Sequence, residues 1–157
     1  MLNLVDISDV MIYTNNWGVF TMVTMEEAGI ILDEIAGELP IEFYNKLNGG
    51  ILLLPQAKLH PEHKGNDLYI LGQYCYSNTM GRYITIYYGS FEKLYGHLEP
   101  KQFKEELRRT LIHEFTHHVE SLAGDKSLEI KDKKRMSEYR KNKEWDTKKG
   151  VKWKKNY

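Results

Sequence analysis

The chain has 157 residues, 41% of them hydrophobic, with equal numbers of acidic and basic side chains and a single cysteine, Cys75. That size suits one domain with a core of its own, and a lone cysteine excludes an internal disulfide framework and fits a reducing compartment. No run is long enough to span a membrane, and the start MLNLVDISDV lacks a basic segment leading into an apolar one, so a cytoplasmic protein is expected.

In chain order, Thr24-Met25-Glu26-Glu27 has the form of a capping box, and AGIILDEIAGEL behind it carries a helical apolar face. Pro40 suits the first turn of a second short helix, PIEFYNKL, which Asn48-Gly49-Gly50 should stop. ILLL at 51–54 reads as a short buried strand closed by Pro55, and QAKLHPEHKGN (56–66) as a loop. His60 and His63 flank Glu62 there, but the proline between them breaks a helical metal-binding register, so they read as loop residues.

LYILGQYCY (68–76) and RYITIYY (82–88) are rich in β-branched and aromatic residues, and the turn-forming SNTMG between them predicts a hairpin. A short helix near Ser90–Tyr95 follows. A long amphipathic helix from Glu99 to Leu122 comes next, its apolar stripe marked by Phe103, Leu107, Leu111, Phe115, Val119 and Leu122. Gly124 should cap it, and another helix is expected from about Ser127 to Tyr139. The sum is an α+β fold with helices packed on a sheet of about three strands.

Within the long helix, His113-Glu114-Phe115-Thr116-His117 spells HExxH. Residues four apart lie on one helical face, so the two imidazoles can close on one metal ion, and zinc suits neutral imidazole nitrogen. Glu114, between them, is placed to take a proton from a zinc-bound water, as in metallopeptidases. His118 lies about 100° around the helix from His117 and reads as a surface residue.

The charge is unevenly spread. Residues 131–157 hold twelve Lys and Arg against four Asp and Glu, while the rest of the chain holds ten against eighteen. A domain over 1–140 followed by a basic, flexible tail over 141–157 is expected, the tail drawn to its own acidic domain. The rival reading is a binding module without catalysis, whose tail, with Trp145 and Trp153, engages nucleic acid or a protein partner.

PIEFYNKLNGGILLLPQAK, GRYITIYYGSFEKLYG and LRRTLIHEFTHHVESLAG together resemble a bacterial family of small zincin-like metallopeptidases, the minimal zinc metallopeptidases with an HExxHH helix. The resemblance covers roughly residues 26–135. It implies a zincin-like fold, zinc held by His113 and His117, Glu114 as general base and acid, and a peptide or protein substrate. By fold analogy RYITIYY is the sheet edge along which a peptide would lie. An oxyanion donor among Tyr83, Tyr87, Tyr88 and Tyr95 would fit such an enzyme, and the spacing selects none of them.

The related short members follow HExxH with a glycine three residues later and a His or Asp three beyond; here those positions hold Glu120 and Ala123. The third ligand must therefore come from geometry. Glu120 shares the histidine face but stands about 10 Å along the axis from His113, and Asp125 sits at the chain reversal. Glu129 ranks first, because about 6 Å of return past Ser127 takes two extended residues.

Overall fold

Thr24 and Glu27 exchange hydrogen bonds, hydroxyl to backbone and carboxylate to backbone, and helix α1 (Met25–Glu38) starts on that box as expected. The computed structural model describes residues 12–15 and 18–149. Ahead of α1, strands β1 (Ile12–Asn15) and β2 (Gly18–Thr21) form an antiparallel pair. After α1 the expected second helix is only a 3-10 turn, Ile41–Tyr44. Phe43 and Tyr44 there pack on the core, and Tyr44 donates to the Ala36 carbonyl at 2.5 Å.

Strand β3 (Gly50–Leu54) follows, and the segment read as loop contains β4 (Lys58–Leu59), which pairs with β5 (Tyr69–Ile70). The stretch read as one strand over 68–76 is thus divided, its second part being β6 (Gly72–Ser77). β6 turns through Asn78–Met80 into β7 (Gly81–Tyr87), giving the expected hairpin.

β7 is the centre of its sheet. The order is β3-β7-β6, with β3 parallel to β7 from Gly50 opposite Tyr83, and β6 antiparallel from Gly72 opposite Ile86. The expectation that RYITIYY forms the edge is therefore corrected, and the edges are β3 and β6. The physical reason is burial: Ile84, Thr85, Ile86 and Tyr87 are all buried, which suits a strand with both ladders filled and both faces covered.

Helix α2 (Tyr88–Tyr95) leads to α3 (Pro100–Ala123), with proline in its first turn. Phe103, Leu107, Leu111 and Phe115 pack with Ile84, Ile86, Phe91 and α1 in one core. Val119, expected on the stripe, is 39% exposed. Each four-residue step overshoots a turn by about 40°, so a row of such steps drifts off the core face. The centre of the stripe passes through Glu114 and His118 instead, and both are buried.

Gly124 ends α3 with φ +73, the left-handed C-cap expected of it. Helix α4 then runs from Ser127 to Lys149, through the expected boundary at 140. Its half-buried positions include Leu128, Asp132, Met136, Tyr139 and Lys143, one stripe at helical spacing. Two cations of the basic stretch pair with the loop after β4: Arg140 with Glu62 at 2.9 Å, and Lys143 with Asp67. Tyr139 also donates to Asp67 at 2.9 Å. Trp153 and the end of the basic stretch, 150–157, lie outside the described residues. Among those described, the fold is α+β, four helices and a small mixed sheet of three strands beside two short strand pairs, and no helix is long and apolar enough to cross a membrane.

Candidate metal centre

The rings of His113 and His117 stand edge to face on one side of α3, centroids 4.9 Å apart. Past Gly124 the chain reverses and α4 folds back along α3. That return sets the Asp132 Oδ2 oxygen 2.9 Å from His117 Nε2 and 3.3 Å from His113 Nε2. One ligand atom from each of the three lies within 4.8 Å of the other two. Two atoms bound about 2.0–2.1 Å from a tetrahedral zinc are about 3.3 Å apart, so the spacing and donor set fit that ion. All three side chains are half-buried.

The three carboxylates weighed on the sequence are elsewhere engaged, although all line the cleft beside the histidines, which holds about 540 Å³. Glu129 is exposed and pairs with Lys133 at 2.7 Å, an ion pair that holds its carboxyl below the usual range. Glu120 accepts the Leu128 N–H at 2.9 Å, and Asp125 accepts from the Ser127 hydroxyl and backbone N–H. The third member of the cluster is Asp132 rather than Glu129. From Ser127 the chain is helical, rising about 1.5 Å per residue instead of the extended 3.3 Å, so the return needs more residues.

Glu114 is 6% exposed and accepts the Tyr74 backbone N–H at 2.8 Å. Burial raises its carboxyl pKa to about 7, against the opposing pull of His117 and the Tyr74 N–H; the Asp132 charge adds to the rise. Burial also lowers His113, more than Asp132 raises it, so its ring is neutral at neutral pH and able to bind a metal. The close approach of α3 to β6 depends on Gly72. A Cβ there would stand 2.9 Å from Thr110 Cγ2 and 3.0 Å from Glu114 Cγ.

His118 is no surface residue: it is wholly buried. Its Nε2 lies 2.8 Å from the Asn45 carbonyl and therefore carries the proton, leaving Nδ1 to accept from the Tyr74 hydroxyl at 3.2 Å. Among the tyrosines, Tyr88 donates to the Val23 carbonyl and Tyr87 sits with Lys58 and Gln73, while Tyr83 lies beside Cys75. Tyr95 lines a cleft next to the cluster. His60, read as a loop residue, lines both clefts that meet at the cluster, and its Nδ1 accepts the Glu62 N–H at 3.1 Å.

Tyr74, Gly72 and Asp132 were not singled out on the sequence. The helical wheel of α3 points at the first two indirectly, since Glu114 and His118 fall at the centre of its buried face and need partners there.

No family model matches the chain, and no curated protein does. Among solved structures it is similar to a conserved hypothetical protein from Thermus thermophilus, at 33% identity and a TM-score of 0.55. The match covers 64% of this chain and 98% of that one. With that protein the chain shares a family: it belongs to the family of this conserved hypothetical protein.

Proposed function

We propose that the protein is a zinc-dependent peptidase of zincin-like fold. The observation that carries this reading is the convergence of His113, His117 and Asp132 on one point, with the buried carboxylate of Glu114 next to them on the same helix. A zinc ion held by those three would supply a Lewis acid that polarises a carbonyl and acidifies water.

The chain's own groups do the rest. Glu114 takes a proton from the attacking water as the new C–O bond forms, and returns it to the amine nitrogen as the C–N bond breaks. The Tyr74 N–H fixes the carboxylate for both transfers. A peptide lies along β6, the edge on the α3 side. Tyr87 N–H donates to the Leu71 carbonyl, so by the alternation of an antiparallel ladder Gly72, Tyr74 and Tyr76 turn their backbone groups outward. Gly72 and Tyr74 line the cleft, and the Gly72 N–H and C=O and the Tyr74 C=O are the groups a substrate backbone would pair with.

Metal analysis tests the reading first. Purified protein should hold about one zinc, lost on His113→Ala, His117→Ala or Asp132→Ala. Glu114→Gln should keep zinc and lose cleavage of a peptide library by about 10²–10⁴-fold or more. Refusal of zinc after reconstitution, or cleavage undiminished in Glu114→Gln, would overturn it.

A further inference from the structure

We infer that the site selects peptides carrying a carboxylate, bound by Arg135, next to an apolar side chain; this rests on the peptidase reading above. A second cleft, of about 460 Å³, shares His60, Gly72, His113, Glu114 and Asp132 with the first. Away from the cluster its walls are the half-buried Leu68, Leu71 and Met136, with Arg109 and Arg135 at the surface. That wall accepts an apolar side chain.

The two arginines differ. Arg109 gives one nitrogen to both carboxylate oxygens of Glu106, at 2.8 and 2.9 Å. Among the described residues Arg135 has only Asp132 Oδ1 at 3.6 Å, too long for a hydrogen bond, and its side chain is 71% exposed. Its planar fork is therefore unspent, one helical turn from the carboxylate that completes the metal cluster. A guanidinium in that state matches a carboxylate with two parallel N–H···O bonds. The acids of the first cleft contrast with it, since Glu120, Asp125 and Glu129 are each engaged by a neighbour on the same stretch of chain. Lys126 lines that first cleft as a second cation and serves as the control.

The carboxylate can be a free C-terminus or an acidic side chain, and the test separates the two. Labelled pentapeptides of alanine with one leucine are titrated into zinc-loaded Glu114→Gln protein in four forms: free C-terminus, amidated C-terminus, amidated with one glutamate, and amidated with one glutamine. Either or both carboxylate forms should bind about two- to five-fold tighter than the neutral counterpart, the scale of an exposed charge pair. Arg135→Gln should abolish that preference and leave zinc content and the amidated peptide's affinity unchanged. Lys126→Gln should leave the preference intact.

Equal binding of acid and neutral forms, binding in no arm, or a preference that follows Lys126 instead of Arg135 would overturn the inference. The same peptides incubated with zinc-loaded wild type separate this result from the peptidase reading. Carboxylate binding without cleavage removes the peptidase and keeps the Arg135 site. Cleavage without charge preference does the reverse.

Discussion

Gly72 and Glu114 are packed so closely that a methyl group on the glycine would lie 3.0 Å from the glutamate Cγ and 2.9 Å from Thr110 Cγ2. Ile86 Cδ1 closes the third side at 3.2 Å. The sheet edge and the metal-cluster helix meet there without a side chain between them, and that leaves the Tyr74 N–H within reach of the Glu114 carboxylate.

Gly72→Ala should therefore destabilise the protein by about 1–3 kcal/mol, the usual cost of overpacking. Thr110→Ser removes the nearest obstacle while keeping the hydroxyl, so the double variant should recover part of that loss. Urea denaturation of the wild type, both single variants and the pair measures it. Strict additivity of the two substitutions would show that the close approach is not what Gly72 provides.

Asp132→Asn should lower zinc affinity by more than about a hundredfold, beyond the loss typical of a partner outside the coordination shell. Glu129→Gln should leave it nearly unchanged, because that carboxylate is exposed and paired with Lys133. Competition with a chromophoric chelator gives both constants. Equal effects from the two variants would return the third ligand to open question.

Much of what surrounds this cluster is legible in the sequence, and the departure at its third member is instructive. HExxH, the Gly124 cap and a helix beginning at Ser127 were all readable from residue type and spacing, and the helix does begin there. The expectation of Glu129 rests on counting extended residues past Ser127. A helical rise of about 1.5 Å over the same 6 Å return arrives near residue 131 rather than 129, so the two local readings, combined, point toward Asp132. The sheet edge was not legible in the same way. Whether β7 lies at the centre depends on the parallel pairing with β3, a contact between segments some thirty residues apart that neither segment's composition encodes. Val119 failed for a simpler reason, the drift of a four-residue row around a 3.6-residue helix.

Glu114 gives a pH signature in metal-free protein. Its folded pKa, about 7, lies above the ordinary 4.5, so its contribution to stability is full below pH 4.5 and is lost as pH rises through 7. That loss is about 3 kcal/mol at most. His113 and His118, lowered by burial, act with the opposite sign just below their ordinary 6.5, so the quantity to follow is the difference between wild type and Glu114→Gln. Between pH 5 and pH 8, in chelator, wild type should lose stability relative to the variant. A difference that does not change with pH would mean the carboxylate is better solvated than its 6% exposure implies.

Tyr74→Phe should cost about 1 kcal/mol or somewhat more, since it leaves the buried His118 Nδ1 without its donor. The Glu114 contact is to the Tyr74 backbone, so zinc content should not change. Thermal denaturation together with metal analysis checks both halves. Loss of zinc in this variant would place the tyrosine hydroxyl in the metal cluster's support rather than in the core.

Two of the three clustered side chains ride on α3 and the third on α4, across a reversal made by Gly124–Lys126. A cation gripped by all three is thus also a clasp between two helices. The other fastenings of α4 to the loop after β4 include the pairs Arg140–Glu62 and Lys143–Asp67, and surface pairs of this kind contribute only about 0–1 kcal/mol each and weaken in salt. At a hundred times its dissociation constant, a metal ion adds about 2.7 kcal/mol to whichever state holds it. On the proposed reading, losing the ion would therefore also loosen α4 from its seat, most of all at high ionic strength, and open the Gly124 reversal to a protease.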